Sequence, residues 1–325
     1  MLKKIIMIFL LIIFSFSCVP KKKKINNKIK INKIIENIEN ENEKIETEFN
    51  NISINIISSF DGLISNDIKA IEISKEYIWA CGVNGLSCLN KDNGKIINYA
   101  FTNGNLMNFS SFNDNSFLVM ANMGVYIFTN KVFTLLTNLI FMSKIIRDDD
   151  NLILLSKKGY LYNFNSDNLK IKRCFTNINN IENIYGNDKH IFIKRNNKLI
   201  SLKDNKVIIS NFQGNFKVFS YKDNIYLASD SLIKIELNNG DKHILMTLST
   251  NKFITDLYID DYKIFIGTTK GLIYFNSKYK KRINLLQEYK IRDSYIQTIK
   301  KDENSLWLGT KQYGLINYIF IKKGL

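Results

Sequence analysis

The sequence predicts an all-β fold, and within that class a seven-bladed β-propeller of four-stranded blades. The first observation is a phrase of two apolar runs around a turn, clearest at 77–89, 263–275 and 305–320. One turn position per copy is Gly85, Gly124, Gly159, Asn197, Ser231, Gly271 and Gly314. The second observation is that these positions are 39, 35, 38, 34, 40 and 43 residues apart, which is the period of a propeller blade. The third is that Asp, Asn and Gly fill the turns between runs, as tight turns require.

Residues 67–101 illustrate one blade. Apolar or alternating runs at 68–73, 77–82, 86–89 and 95–101 are separated by short turns, which predicts four antiparallel strands. The second run is apolar throughout, because the second strand of a blade is covered by the neighbouring blade on each side.

The last copy provides three strands, at 295–300, 305–310 and 314–321, whereas the strand at 51–60 has no blade of its own. We therefore expect residues 51–60 to complete the last blade and close the ring, leaving only short, protected sheet edges. Six and eight blades stay open as alternatives, because the fourth and fifth copies have lost the turn glycine.

Residues 1–17 have the pattern of an export signal. Lys3 and Lys4 precede an apolar run from Ile5 to Phe16, which is too short to span a bilayer. The following Cys18 makes this segment similar to a bacterial lipoprotein signal, and the resemblance implies that Cys18 becomes the first residue and carries a lipid. An uncleaved anchor and an export signal without lipid are the alternatives.

Residues 18–50 are expected to form the lipidated cysteine and a flexible tether, and residues 51–325 the propeller. The tether holds Pro20, the only proline of the chain, and a basic run, Lys21–Lys24. One acyl chain binds a membrane weakly, and adjacent basic residues add attraction to anionic headgroups; a solvated spacer explains the run equally well. We expect the protein in the bacterial cell envelope, anchored to a membrane, preferably the outer one, and facing the periplasm or the cell surface.

The repeats resemble two-component-regulator propeller repeats, in which Gly-Leu, Ile, Asp, Leu-Trp-Gly-Thr and a second Gly-Leu follow in order. Residues 61–89 and 294–315 match this order well, and 254–275 match it in part. The resemblance implies a propeller of the kind found in periplasmic sensor domains. The succession of anchor, tether and propeller is also similar to the accessory subunit of the outer-membrane protein assembly machine, a scaffold without chemistry of its own, and this similarity is one of layout only.

Few residues suggest chemistry. The two histidines, His190 and His243, lie in different predicted blades, and no nucleophile elbow, phosphate loop or metal-ligand spacing occurs. Asp148, Asp149 and Asp150 are expected to form a solvated turn. The inner strands offer a mixed polar ring without an acid/base pair, namely Lys69, Glu72, Lys144, Glu182, Lys217, Asp256 and Gln297. We therefore expect no catalytic residues, no cofactor and no metal site.

The cysteines give no disulfide framework. Once Cys18 is set aside, Cys81, Cys88 and Cys174 remain, an odd number. Cys81 and Cys88 flank one predicted hairpin, and two buried small residues are expected there rather than a bridge.

The net charge of +16 arises from 46 Lys and Arg against 30 Asp and Glu. Part of this excess is general, because Lys, Ile and Asn fill many exposed positions of the chain. The part that is local falls in the second turn of the blades, which we expect to lie together on one face, hereafter the basic face: Lys157, Lys158, Lys194, Arg195, Lys198, Lys270 and Lys311. The first turns, on the opposite face, are rich in Asp.

The sequence thus predicts a monomeric propeller that acts as a protein-binding scaffold, in the setting of outer-membrane protein assembly that the similarity in layout suggests. Its partners would be an envelope protein with an acidic surface and a membrane through the lipid at Cys18; the export signal excludes nucleic acid. A periplasmic sensor that binds a ligand is the alternative, and a propeller lyase or hydrolase is a weaker one.

Overall fold

A computed structural model describes residues 52–320, with gaps at 114, 149–150, 176–177, 188–189, 215, 287–290, 292 and 304. The predicted signal at 1–17 and the predicted tether at 18–50 therefore lie outside the described residues. Contacts divide the chain into a compact unit of residues 54–319 and a second unit, 1–53 with 320–325, of which only Ile52, Ser53 and Phe320 are described. Within the described part of the chain, no helix is long and apolar enough to cross a membrane.

The first strand, β1 (Ile52–Ile57), precedes a 3-10 turn at Ser59–Asp61. The first blade contains β2 (Ile68–Ile73), β3 (Tyr77–Gly82), β4 (Gly85–Asn90) and β5 (Ile96–Ala100). The second contains β6 (Leu106–Asn113), β7 (Ser116–Ala121), β8 (Gly124–Thr129) and β9 (Val132–Thr137). The third contains β10 (Phe141–Asp148), β11 (Asn151–Ser156), β12 (Leu161–Asn165) and β13 (Lys170–Arg173).

The fourth blade contains β14 (Asn183–Asn187), β15 (His190–Arg195), β16 (Lys198–Ser201) and β17 (Val207–Ile209). The fifth contains β18 (Lys217–Tyr221), β19 (Asn224–Ala228), β20 (Ser231–Glu236) and β21 (Lys242–Thr247). The sixth contains β22 (Ile254–Asp260), β23 (Lys263–Thr268), β24 (Gly271–Asn276) and β25 (Lys281–Asn284). The seventh contains β26 (Ile296–Asp302), β27 (Ser305–Thr310) and β28 (Leu315–Phe320).

The seventh blade is completed by the beginning of the chain. Its strand order is β1-β28-β27-β26, whereas the six other sheets each use four consecutive strands. The structure thus confirms the predicted seven-bladed propeller and its closure by the early strand. The strand is shorter than the predicted 51–60 because Ser58 ends it: the Ser58 amide donates to the Asp61 carboxylate at 2.8 Å, which caps the 3-10 turn that follows.

Glycine contacts show that β1 occupies the place of an ordinary fourth strand. A Cβ added to Gly85 would lie 2.2 Å from the carbonyl oxygen of Tyr99, at the end of β5. A Cβ on Gly314 would lie 2.3 Å from the carbonyl oxygen of Ile57, at the end of β1. Gly85 is the first residue of β4 and Gly314 directly precedes the equivalent strand β28, so Ile57 stands in the last blade where Tyr99 stands in the first.

The second strands form the core, as their apolar sequences predict. After one half-buried first residue, all the other residues of β3, β7, β11, β23 and β27 are buried. Apolar clusters join neighbouring blades. The one between the first and second blades includes Trp79, whose ring centroid lies 4.8 Å from that of Phe117. Aromatic pairs of this kind add about 0.5–1.5 kcal/mol to the free energy gained by burial alone.

The cysteine prediction is confirmed for Cys81 and Cys88, which are buried and free. The turn between β3 and β4 pairs Gly82 with Gly85, so that Cys81 faces Leu86 and Cys88 faces Trp79. Burial raises the pKa of the Cys81 thiol to about 12 and that of the Cys88 thiol to about 11, so both stay protonated at neutral pH.

Candidate functional site

The inner strands enclose a central channel. The first strand of each blade contacts the first strand of the next, and β26 contacts β2, which closes the circle. The cavity within has a volume of about 900 Å³, which is in the range of small-molecule binding sites. Its walls come from β2, β6, β10, β14, β18, β22 and β26.

Six of the seven side chains predicted for the polar ring line this channel: Lys69, Glu72, Lys144, Lys217, Asp256 and Gln297. The seventh, Glu182, lies outside the lining, and its carboxylate is 3.2 Å from the ammonium of Lys194. The prediction failed for Glu182 because this residue precedes β14 rather than lying within it.

One part of the channel wall joins the last blade to the first. The Gln297 side-chain amide donates to the Asp67 carboxylate at 2.7 Å and to the Ile68 carbonyl at 2.8 Å. The same carboxyl group of Asp67 is 2.8 Å from the ammonium of Lys69. These contacts neutralise Lys69 and tie β26 to β2, so we assign them to ring closure rather than to ligand binding.

A second part of the wall carries charges that are less well compensated. The ammonium of Lys144 lies 4.8 Å from the centre of the Tyr185 ring. The ammonium of Lys217 donates to the backbone carbonyl of Thr255. Neither lysine forms an ion pair with a carboxylate of the described residues. The nearby Asp256 carboxylate accepts the Ile299 amide at 2.7 Å.

Burial shifts the pKa values of Lys144 and Asp256. Burial, reinforced by the positive charge of Lys217, lowers the pKa of Lys144 to about 8. Burial also raises the pKa of Asp256, although the Ile299 amide and Lys217 counteract the rise. Perturbed groups in a cavity are typical of functional sites. The sequence named Lys144 and Asp256 but contains no signal for their altered acidity, which depends on the neighbouring blades.

The basic face lies on one side of the ring. Because neighbouring strands are antiparallel, all second turns lie on the face where one blade connects to the next. Lys157, Lys158, Lys198, Lys270 and Lys311 are exposed there. Lys194 and Arg195, at the end of β15, are half-buried.

Carboxylates reduce the net charge of this face. The connections between blades place Asp61, Asp67, Glu182 and Asp293 on it together with one described lysine, Lys252, and Asp230 lies in the second turn of the fifth blade. The prediction counted the turns within blades, Asp230 among them, and left out the charges of the connections between blades. Of the first-turn acids on the opposite face, Asp114, Asp149, Asp150 and Asp188 lie outside the described residues.

The structure also brings together three residues that the sequence did not group. Potential ligand atoms of Glu236, Asp241 and His243 lie within 4.8 Å of one another in the third turn of the fifth blade. The ammonium of Lys234 is 2.9 Å from the Glu236 carboxylate, and Asp241 and His243 are exposed. These three residues are thus charged side chains at the surface, and the Glu236 carboxylate already forms an ion pair with Lys234.

Comparisons with known proteins define the fold class of this chain. No protein-family model and no curated protein matches it. Among solved structures, an extracellular domain described as belonging to a one-component system of B. thetaiotaomicron superposes with a TM-score of 0.65 and 18% identity, covering 82% of this chain and 40% of that chain. This chain thus spans well under half the length of that structure.

A second similar structure is virginiamycin B lyase from Staphylococcus aureus. It superposes with a TM-score of 0.65 and 12% identity, covering 83% of this chain and 99% of that chain. At these identities the similarity establishes the propeller fold and no activity.

Proposed function

We propose that this chain is a lipid-anchored propeller of the cell envelope that acts as a protein-binding scaffold through its basic face. The proposal includes a role in outer-membrane protein assembly, because the predicted succession of anchor, tether and propeller is similar to that of the accessory subunit of the assembly machine. The partner is a protein with an acidic surface. The supporting observation is that five lysines, one or two from each of four blades, are exposed on the same face of the ring: Lys157, Lys158, Lys198, Lys270 and Lys311.

The physical consequence of this arrangement is steering. Charges on a rim accelerate encounter with an oppositely charged partner and fix its orientation, and they contribute less to the final affinity. The Debye length at physiological salt is about 8 Å, so capture that depends on these charges weakens as salt is raised. The proposed anchor, Cys18 with Lys21–Lys24, would keep the protein at the membrane that holds its partners.

The test is a charge reversal on the basic face. A variant with Lys157, Lys198, Lys270 and Lys311 replaced by Glu is expected to lose at least about tenfold in partner capture at low salt. Lys194 is left unchanged because its ion pair with Glu182 and its packing 5.9 Å from the centre of the Phe212 ring would confuse structure with binding. The measurement is crosslinking in the intact envelope, followed by quantitative mass spectrometry of the captured protein and a salt titration with that protein purified.

A matched control reverses four exposed lysines on the opposite face, namely Lys75, Lys131, Lys206 and Lys280. It changes the net charge equally and is expected to leave capture intact. The proposal is abandoned if both variants capture the same protein as the unaltered chain, or if both lose it equally.

An enzymatic role has weaker support in the channel. A similar lyase is described as catalytically inactive when one of its histidines is replaced by alanine. In this chain neither His190 nor His243 is among the described residues that line the channel. His190 begins a second strand and His243 lies in the outer strand β21, so neither is placed for chemistry on a ligand held there.

A further inference from the structure

The channel itself is a second place where this protein can bind. Its lining contains six cationic side chains, Lys69, Lys144, Arg147, Lys217, Lys300 and Lys301, and two carboxylates, Glu72 and Asp256. Even after the ion pair of Lys69 with Asp67, the wall keeps a positive excess. A concave, low-dielectric wall concentrates such a field more strongly than an open surface does.

The centre of this excess is the pair Lys144 and Lys217. Lys144, Lys217 and Asp256 line the same cavity. The positive charge of Lys217 adds to the lowering of the Lys144 pKa, and the Asp256 carboxylate opposes it. Two repelling ammonium groups beside one carboxylate are stabilised by an additional negative charge placed between them. The Lys144 ammonium contacts the face of the Tyr185 ring, and its three N–H groups are donors to which an anion can bind.

We infer that the channel is a binding site for a small polyvalent anion, held by Lys144 and Lys217 and disfavoured by Asp256. The ligand class is a molecule with phosphate or several carboxylate groups, small enough for a cavity of about 900 Å³. The site is independent of the basic face, because its residues lie on the inner strands and not in the second turns.

The first experiment is calorimetric titration of the full chain, purified in detergent, with sodium pyrophosphate and separately with citrate. If only pyrophosphate binds, the ligand is a phosphate compound, and if only citrate binds, it is a carboxylate compound. If both bind, the site recognises negative charge without distinguishing the two groups. The double variant Lys144→Met and Lys217→Met is expected to bind at least about tenfold more weakly, since each charge-assisted hydrogen bond is lost. Lys157→Met, which removes an exposed charge outside the channel, is expected to change the affinity by less than about twofold under physiological salt.

A gain of affinity separates this inference from mere damage to the fold. Asp256→Asn removes the opposing charge and keeps an oxygen that can accept the Ile299 amide. This variant is expected to bind the anion several-fold more tightly. Failure of both probes to bind the unaltered chain, or equal binding by the double variant, would overturn the inference.

The pH dependence gives a further readout. Lys144 must be protonated to hold the anion, and its pKa is lowered to about 8, so affinity for citrate is expected to fall by up to about tenfold between pH 7.5 and 9. Facing charged or titratable groups are Tyr185 of β14, Lys217 of β18 and Asp256 of β22, and the adjacent β6, β7 and β11 carry none. Burial raises the pKa of Tyr185 to about 12, which removes it from this range.

If the affinity of the Lys144→Met variant for citrate fell equally between pH 7.5 and 9, another group would be titrating, and the role of Lys144 would be contradicted. The double channel variant should still capture the partner of the basic face, and the face variant should still bind the anion. The two proposals can therefore fail separately.

Discussion

Replacing Gly314 with valine is expected to lower the free energy of unfolding by about 4 kcal/mol or more, because a backbone clash adds to conformational strain. Gly314 has a φ of +76°, and a Cβ there would meet the Ile57 carbonyl oxygen at 2.3 Å. The obstacle is backbone and cannot rotate away, so β1 must move from its place beside β28. In a thermal melt, the midpoint is expected to fall by about 10 °C.

Gly94→Val is the matched control for this substitution. Gly94 also has a positive φ, +69°, but apart from its two neighbours in the chain no atom of the described residues lies within 4 Å of a Cβ built there. The Gly94→Val variant therefore has the conformational strain without the clash, and its free energy of unfolding is expected to fall by about 1–2 kcal/mol. Equal losses in the two variants would mean that Ile57 does not lie against Gly314, and that the ring is closed differently.

Truncating Trp307 to alanine is expected to cost about 3–5 kcal/mol of unfolding free energy, which is typical of a buried aromatic side chain. Trp307 lies in the middle of β27 and belongs to a cluster that also contains Ile57 of β1, Leu315 of β28 and Ile71 of the first blade. Its removal leaves a cavity where the last blade, the early strand and the first blade meet. Urea denaturation of the full chain measures the loss.

Two further variants test whether the loss of unfolding free energy comes from the buried indole ring. The indole N–H of Trp307 is buried without a hydrogen-bond partner among the described residues, so Trp307→Phe removes an unsatisfied donor and is expected to cost only about 1 kcal/mol. Tyr313→Ala changes an exposed aromatic residue of the same hairpin and is expected to cost less than about 1 kcal/mol. A small cost for Trp307→Ala, similar to that of Tyr313→Ala, would contradict the packing described for this junction.

Most of the fold could be predicted from the sequence because each blade repeats the same local pattern. The runs at 68–73, 77–82 and 305–310 match β2, β3 and β27 residue for residue. The fourth blade was recognisable without its turn glycine because asparagine takes the place of glycine, and asparagine tolerates positive φ better than most residues. In the structure, Asn196 and Asn197 adopt φ values of 49° and 55°.

The candidate sites were predictable only in part, because they depend on how blades are arranged. Lys144, Lys217 and Asp256 come from three blades. The repeat assigns them to the inner strands but does not indicate which members of the polar ring act on one another. The shifted pKa values of Lys144 and Asp256 follow from burial that only the closed ring creates. On the basic face, the turns within blades were predictable, whereas the position of Glu182 beside Lys194 follows from a connection between blades.

Hydrogen exchange at the amides of β1 tests the closed ring most directly. If residues 52–57 form the fourth strand of the last blade, their hydrogen-bonded amides exchange as slowly as those of β27 and β28 and are released together with them in a single unfolding event. Exchange of these amides within seconds, while β27 and β28 stay protected, would show that the early strand is not part of that sheet and would contradict the fold described above.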